Sequence, residues 1–440
     1  MTIRRYLALG LPLWLVASIA GAQTHTLTEP VQARDCFQYD INMTLKGELR
    51  MNKDGKTATM PLAARAEHRF SERILEVKEK GLPAKVVRNY DTARSSISVN
   101  GQASPHDLRT ARKLIVAQRT ADNFLCYSPA GPLTRDEVEL VSEHFDTLSI
   151  TGLLPDKEVK IGDSWKLPNE VVLALGQFEA LIAHEITAKL ESVDDGFAVI
   201  TIGGKAQGIE LGALTKITVS ASARYEILRK HLVQLEWLQK DERDQGPASP
   251  ACTVESTTVV KRAPIETPKE LNEASLESVP KGFEPPPALT LVYHRDAKDR
   301  YDLAVTRDWN LVAQTDTHLV LRLIERGELV AQASLTAWTK AEEGKHTSPE
   351  EFKRAMAEAP GWTLEDVLDD GEVPTENGRW LYRVVARGTM DDVKVVQNFF
   401  LLAAPSGEQV VITFTMKPGQ AAKIGSKDMT LVGSIGFPKK

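Results

Sequence analysis

Strict alternation of apolar and polar residues constrains this chain more than any other feature. From Phe37 to Lys46 every second side chain is apolar and the intervening ones are polar. Because successive side chains of a strand point to opposite faces, this pattern predicts a strand with one buried and one solvent-exposed face. Similar stretches follow, separated by hairpin signals such as Asn100-Gly101 and Asp194-Asp195-Gly196. The sequence therefore predicts large antiparallel sheets.

Two segments interrupt the strands with helix signals. Ser104-Pro105 offers an N-cap and a proline at the first helical position, which predicts a helix near residues 105–118. Thr134-Arg135-Asp136-Glu137 is a capping box that predicts a second helix near residues 134–147. Both segments carry one apolar stripe. The expected fold class is α+β, with a large curved antiparallel N-terminal sheet and two helices packed on it.

The chain length of 440 residues exceeds what one hydrophobic core usually serves, so two domains are expected. Between residues 263 and 288 the composition changes, and the run Pro285-Pro286-Pro287 lies in a polar, proline-rich stretch. Such a stretch predicts a semi-rigid linker in an extended polyproline conformation. It would separate an antiparallel-sheet domain at residues 23–262 from a second domain at residues 289–440.

The N-terminus is typical of a secretory signal. Arg4 and Arg5 precede an apolar run that ends at Ala20-Gly21-Ala22, a small-x-small cleavage site. We expect a Sec-type signal peptide at residues 1–22, cleavage after Ala22, and a periplasmic or secreted protein. The run is too short to span a bilayer, so no transmembrane segment is expected after cleavage. The net charge of −6 becomes more negative without the two arginines, which disfavours nucleic-acid binding.

The chain contains three cysteines, Cys36, Cys126 and Cys252. In an oxidising compartment the simplest expectation is one disulfide and one remaining thiol, and all three pairings stay open. Cys126 precedes Tyr127-Ser128-Pro129, which is typical of an element that ends in a turn. We therefore expect structural rather than catalytic cysteines.

The sequence does not concentrate reactive chemistry. Its nine histidines are scattered, without a pair at the i, i+4 spacing of a helical zinc site. A G-x-S-x-G elbow and a glycine-rich phosphate loop are also missing. We therefore predict no catalytic, cofactor-binding or metal-binding residues and no cofactor. Four tryptophans are candidate contacts for a protein partner, because this residue type is frequent at interfaces: Trp309, Trp338, Trp362 and Trp380.

The run from Tyr301 to Phe437 resembles the PsbP-like family. The matching features are an opening strand that ends in Asp308-Trp309, a hairpin, a helix starting at Ser348, a strand at Gly378-Arg379-Trp380 and a closing segment at residues 432–437. The resemblance covers nearly all of the second domain and rests on order and spacing. It implies an α/β/α sandwich with an antiparallel sheet and an accessory, partner-binding role, without shared catalytic residues.

The first domain is similar to the sheets of lipoprotein carriers of the LolA and LppX kind. This resemblance rests on architecture, a long antiparallel sheet with packed helices, and fold does not imply function. It implies a cavity between sheet and helices that could accept an apolar ligand, although the polar alternates in the strands favour a filled core. The whole chain also resembles exported two-domain proteins of planctomycete-type bacteria.

Three functions follow as hypotheses. The first is an exported, non-catalytic accessory protein with a protein partner in the cell envelope. The second is a carrier that holds a lipid or another apolar ligand in the N-terminal domain. The third is a hydrolase with an unrecognised site. The state of the space under the first sheet discriminates among them, because a fully packed first domain would exclude both alternatives to the accessory role.

Overall fold

A computed structural model describes residues 23–53, 56–78, 81–119, 124–142, 145–155, 157–246, 249–325, 328–376 and 378–438. The expected signal peptide at residues 1–22, with its cleavage site, lies outside the described residues. The first half is dominated by strands. They are β1 (His25–Thr26), β2 (Cys36–Lys53), β3 (Lys56–Val77), β4 (Pro83–Val99), β5 (Gln102–Asp107), β6 (Leu114–Arg119), β7 (Phe124–Tyr127), β8 (Leu133–Thr134), β9 (Glu158–Val159), β10 (Ser164–Lys166), β11 (Ala180–His184), β12 (Thr187–Asp194), β13 (Phe197–Glu210), β14 (Ala213–Glu226), β15 (His231–Arg243) and β16 (Ala251–Ile265).

Thirteen of the described strands form one antiparallel sheet. Its main path runs β10-β12-β13-β14-β15-β16-β2-β3-β4-β6-β7, while β11 pairs with β13 and β5 pairs with β4. Strands β1 and β9 pair separately. The last long strand, β16, lies against the first, β2, in an unbroken antiparallel register from Ala251–Arg50 to Ile265–Cys36. The predicted antiparallel sheet is confirmed, and the chain is β-rich.

Alternation determines which side chains face the interior. Along β14 buried and exposed or half-buried residues alternate from Ala213 to Tyr225. Helices lie on the face that carries the buried set, and we call this face the inner face. On β2 it carries Tyr39 and Ile41, and their neighbours Phe70 and His68 on β3 point the same way because directly paired residues share a face. The inner face therefore forms the floor of the main hydrophobic core.

The helices on the inner face are short. Helix α1 (Arg135–Ser142) begins at the predicted capping box, in which the Glu137 amide donates to Thr134 Oγ1 (3.2 Å) and the Thr134 amide donates to Glu137 Oε2 (2.9 Å). A 3-10 helix at Thr147–Leu153 and helix α2 (Asn169–Leu175) follow. Buried side chains from all three pack on the sheet, including Leu140, Leu148 and Val171.

The helix predicted near residues 105–118 is wrong. Ser104 and Pro105 belong to β5, where Ser104 pairs with Ile97, and the second part of the segment forms β6 apart from one short 3-10 turn at Thr110–Arg112. The physical reason is burial on both faces: residues 115–118 of β6 are all buried. A fully covered, β-branched segment is stable as a central strand whatever its helical stripe suggests.

The expected extended linker at residues 263–288 is also corrected. Strand β16 continues to Ile265, and the segment then folds back on the outer face of the sheet through two 3-10 helices, Lys269–Leu271 and Ala274–Leu276. Leu271 is fully buried against Val87, Val116 and Tyr127. Apolar side chains spaced among the prolines therefore dock this segment, which proline content alone does not reveal.

The second half contains the elements α3 (Pro287–Thr290), β17 (Val292–Arg295), β18 (Asp302–Val305), β19 (Trp309–Gln314), β20 (His318–Glu325), β21 (Glu328–Ala337), α4 (Pro349–Ala357), β22 (Trp362–Glu372), β23 (Trp380–Met390), β24 (Val393–Ala403), β25 (Gln409–Met416) and α5 (Lys427–Gly433). Seven of these described strands form another antiparallel sheet, in the order β19-β20-β21-β25-β24-β23-β22. Helix α4 packs on one face through Phe352 and Met356, and helix α5 packs on the other through Leu431 and Val432.

The two halves are joined by backbone pairing. Strand β17 pairs in parallel with β8 of the first half, through Val292–Leu133 and Tyr293–Thr134, and in antiparallel with β18. The largest apolar cluster of the described residues contains Leu133 from the first half and Val292 from the second. The halves therefore share a core at this junction.

Candidate functional site

A cavity of about 300 Å³ lies on the inner face of the large sheet. Its floor comes from the long strands β2, β3, β4, β15 and β16, and its roof comes from Leu140 of α1, Phe145 and Leu175 at the end of α2. The expectation of a fully filled core is therefore wrong for this part of the sheet. The reason is that the helices are short and cover only part of the long strands. Apolar lining is provided by Met43, Leu45, Leu49, Leu62, Ala64, Ile97, Leu140, Phe145, Leu175, Trp237 and Val254.

Polar side chains from strand β15 enter this cavity in a row. Leu235, Trp237, Gln239, Asp241 and Arg243 occupy every second position, so they share the inner face. Trp237 Nε1 donates a hydrogen bond to Gln239 Oε1 (2.9 Å), and Gln239 Nε2 donates to Asp241 Oδ1 (2.7 Å). The indole thereby fixes the amide with its donor side toward the carboxylate.

Asp241 lies in apolar surroundings. Its directly paired neighbours are Ile217 on β14 and Val254 on β16. Burial is the largest cause that raises the pKa of Asp241 to about 7, and the nearby Glu210 carboxylate raises it further, while Gln239 and Arg243 act in the opposite direction. A carboxyl with this pKa exchanges its proton near neutral pH.

An ion pair lies beside this carboxyl. Arg243 Nη1 contacts Glu210 Oε1 at 2.8 Å, and both side chains are largely buried. Burial raises the pKa of Glu210 despite this arginine, and it also raises the pKa of the Cys252 thiol, which is paired across the strands with Arg243. The cluster therefore contains two carboxyl groups and one guanidinium, an acidic excess inside an apolar cavity.

Charged groups on α1 and β5 lie at the rim. His106 Nδ1 lies 3.0 Å from Asp136 Oδ2, and Arg135 pairs with Glu139 at 2.5 Å. Each of these two rim carboxylates therefore already contacts a side chain of its own, His106 for Asp136 and Arg135 for Glu139. The Asp241 carboxyl, by contrast, accepts a hydrogen bond only from Gln239 among the described residues.

The roof is held by buried polar contacts. Arg119 Nε donates to Asp146 Oδ2 (3.0 Å), and Asp146 Oδ1 accepts from the Leu148 amide (3.0 Å) at the start of the 3-10 helix. Trp165 Nε1 donates to the Leu153 carbonyl (3.0 Å) at its end. Both ends of the 3-10 helix are thus fixed to neighbouring elements, which keeps the helical roof in place.

The expected disulfide is wrong, because Cys36, Cys126 and Cys252 are all free and buried. On β2, Cys36 pairs with Ile265 while Leu49 pairs with Cys252, so Cys36 and Cys252 lie at opposite ends of the strand, roughly 40 Å apart at 3.3 Å per residue. Cys126 lies on β7, four strands from β2 and so roughly 19 Å away. A disulfide requires Cα atoms within about 7 Å.

The tryptophan candidates do not form one surface. Trp309 and Trp362 are buried, and Trp309 packs edge-on against Phe414. Trp338 and Trp380 are half-buried, and Trp380 is stacked between His346 (3.6 Å) and Tyr382 (5.8 Å). The available contact area is therefore limited to the last two residues.

Sequence reasoning missed the cluster of Glu210, Gln239, Asp241 and Arg243. One signal was present, since the alternation that places Leu235 and Trp237 on the inner face continues with polar residues at 239, 241 and 243. An inward stripe that turns from apolar to polar along a strand marks a wet or functional region. None of the candidate site residues from the sequence except Cys252 lines the cavity.

Two kinds of feature are absent from the described part of the chain. It holds no group of three or more histidine, cysteine, aspartate or glutamate side chains arranged to bind a metal ion. Its helices also fall short of the length and apolarity required to cross a bilayer.

Comparisons with known proteins give limited similarity. No family model and no curated protein matches this chain. PsbP from the cyanobacterium Synechocystis aligns at 15% identity over 34% of this chain and 93% of its own, with a TM-score of 0.25. A Pseudomonas aeruginosa protein of unknown function aligns at 10% identity over 34% and 98% of the two chains, with a TM-score of 0.23. Lipovitellin, solved for its lipid–protein interactions, aligns at 8% identity over 53% of this chain and 25% of its own, with a TM-score of 0.28. Similarities with such low TM-scores carry no argument about function.

Proposed function

We propose that this protein binds and carries an apolar ligand in the cavity on the inner face of its large sheet. The observation that supports this proposal is the cavity itself, about 300 Å³ in volume and lined mainly by aliphatic and aromatic side chains. Ligand sites are typically concave, mostly apolar and provided with a few polar groups, and this volume lies at the lower end of their range.

The volume limits the size of the ligand. At about 30 Å³ for each water-sized group, the cavity holds roughly ten non-hydrogen atoms. That matches a single alkyl chain rather than a lipid with two chains. Burial of ten methylene groups contributes about 8 kcal/mol before the cost of ordering the ligand, so we expect dissociation constants in the micromolar range or weaker.

Native mass spectrometry of the protein purified from its own host tests the proposal. We expect a co-purifying small molecule in the wild type and in Ala63→Phe, because Ala63 is exposed on the opposite face of β3. Ala64→Phe should abolish it, because Ala64 lines the cavity and a phenyl ring there would fill the space.

A bare wild-type chain that also fails to take up added alkyl ligands would refute the carrier function. Equal loading of Ala64→Phe and Ala63→Phe, with both variants folded, would place the ligand outside this cavity.

The accessory role remains a second proposal, as does the PsbP-like assignment of the second half. It is supported by the antiparallel sheet with one helix on each face and by the half-exposed Trp338 and Trp380. Export to the periplasm or the medium fits both roles, since an envelope carrier needs a site for loading and a partner for delivery. The hydrolase hypothesis has no supporting observation of its own.

A further inference from the structure

The polar cluster in the cavity restricts the chemistry of the ligand beyond its apolar part. Glu210 already pairs with Arg243 at 2.8 Å, so the guanidinium is occupied. Asp241 lies beside this pair with one neutral donor, Gln239 Nε2, at 2.7 Å. The cavity therefore contains a carboxyl group without a cation of its own.

Each class of ligand head group would meet this cluster differently. An anionic head would place a third carboxylate-like charge beside two acids and one arginine, which is unfavourable in an apolar cavity. A neutral hydroxyl would accept or donate one hydrogen bond and leave the acidic excess unchanged. A cationic head would balance two carboxylates with two cations, and a buried charge is stable only when it is paired in this way.

The surrounding charges support the same conclusion. The groups that face Asp241 are Glu210 from β13, Gln239 and Arg243 from its own strand and Cys252 from β16. At the rim, Asp136 and Glu139 of α1 add negative charge; Arg135 pairs with Glu139, His106 of β5 contacts Asp136, and Arg65 also lies at the lining. Asp241 forms no ion pair of its own among the described residues, because Arg243, which acts to lower the pKa of Asp241, is already paired with Glu210.

We propose that the ligand is a cationic amphiphile, a single alkyl chain that ends in a protonated amine, with the ammonium group paired to Asp241 and the chain along the apolar lining. This inference rests on the carrier function proposed above and narrows its ligand class. The Trp237–Gln239 relay positions the carboxylate, and the ammonium donates hydrogen bonds to it. Burial raises the pKa of Asp241 to about 7 in the empty cavity, and the bound cation should lower this pKa again because it stabilises the carboxylate.

Isothermal titration calorimetry with three nine-carbon ligands of equal chain length tests the inference: nonylamine, nonan-1-ol and nonanoic acid, each below its aggregation concentration. At pH 8 we expect nonylamine to bind the wild type at least tenfold more tightly than either of the others. Asp241→Asn should remove this preference while leaving the affinity for nonanol within about threefold, because the amide has the same size without the charge.

Asp241→Glu serves as the conservative variant and should retain most of the preference for the amine. A measurement without mutation adds to it: in the wild type the advantage of the amine over the alcohol should increase between pH 5.5 and pH 8.5, as Asp241 loses its proton. The same pH series on Asp241→Asn gives the contribution of Asp241, which is the part of the increase that the variant lacks.

The outcomes separate the two proposals. Binding of the alcohol or the acid as tightly as the amine, or an unchanged amine affinity in a folded Asp241→Asn, would overturn the cationic ligand while leaving the carrier function intact. Failure of all three ligands to bind would count against the carrier function itself. If Asp241→Asn does not fold, the pH dependence of the wild type and the affinity of Asp241→Glu decide the matter.

Discussion

Arg88 and Glu72 face each other on neighbouring strands and form an ion pair that is almost completely buried. Arg88 Nε lies 2.9 Å from Glu72 Oε2, and both side chains are 2% exposed. Thr147 of the 3-10 helix completes the group, since it accepts from Arg88 Nη2 (2.7 Å) and donates to Glu72 Oε2 (3.0 Å). This triad connects the sheet to the roof of the cavity.

Glu72→Gln should therefore destabilise the protein strongly. Removal of one partner leaves the Arg88 guanidinium buried without its counter-ion, which typically costs about 3–5 kcal/mol. Chemical denaturation measures the loss. The matched control is Glu67→Gln on the same pair of strands, where Arg94 and Glu67 form an exposed ion pair, and its free energy of unfolding should not change measurably. Similar effects of both substitutions would show that burial does not determine how much the Arg88–Glu72 ion pair contributes to the free energy of unfolding.

The docked segment after β16 gives a second prediction. Lys85 is 1% exposed, and its ammonium donates to the carbonyls of Pro280 (2.7 Å) and Gly282. Lys85→Met leaves these carbonyls without their donor, which should cost about 1–3 kcal/mol and accelerate amide exchange near residues 279–283. Hydrogen–deuterium exchange with mass spectrometry checks the local effect.

Lys281→Met is the control for this prediction, because Lys281 belongs to the same segment and its side chain is exposed. Its exchange pattern should match that of the wild type. If Lys85→Met also leaves the exchange unchanged, the apolar contacts of Leu271 hold the segment without the lysine.

The junction between the halves should be sensitive to acid through His294. This residue of β17 is 5% exposed, its Nε2 has no hydrogen-bond partner within the described residues, and burial lowers its pKa to about 4. Between pH 6.5 and pH 4 the unfolded chain binds a proton that the folded chain does not, so the free energy of unfolding falls as the pH decreases. The full loss is about 3 kcal/mol and is absent above pH 7.

His294→Leu should remove this part of the acid sensitivity. Denaturation midpoints at pH 8 and pH 5 give the comparison, and the difference between the two pH values should be smaller in the variant than in the wild type. An identical difference in both proteins would mean that other groups account for the acid sensitivity.

Local sequence patterns predicted part of this architecture. Alternation from Phe37 onward predicted antiparallel strands, and the capping box at Thr134 predicted the start of α1. The segment near residues 105–118 was misassigned because its burial depends on the chain around residue 271, far away in sequence. Such long-range coverage decides between a helix and a strand but leaves no local signal.

The site was less accessible to sequence reasoning for a related reason. Asp241 and Glu242 are adjacent acidic residues that look equivalent in the sequence. The pairing of β14, β15 and β16 places Asp241 between Ile217 and Val254 and leaves Glu242 exposed. The partner acid Glu210 comes from another strand, more than twenty residues earlier in the sequence. The disulfide prediction was wrong for the same reason, because the distances between the cysteines depend on the order and register of the strands that carry them.

The stability of the empty protein should report the state of Asp241. Its pKa of about 7 lies above the ordinary value near 4, so between these pH values the unfolded chain releases a proton that the folded chain keeps. The free energy of unfolding therefore falls as the pH rises from 4 to 7, and above pH 7 the full penalty remains. Asp241→Asn should relieve this penalty, by on the order of 2–4 kcal/mol at pH 8 and by little at pH 4.

Asp244→Asn is the control, because Asp244 is exposed just after β15, and it should show no such dependence on pH. Denaturation curves at both pH values decide the question, and equal stabilities of Asp241→Asn and the wild type at pH 8 would mean that the carboxyl is solvated in the empty cavity.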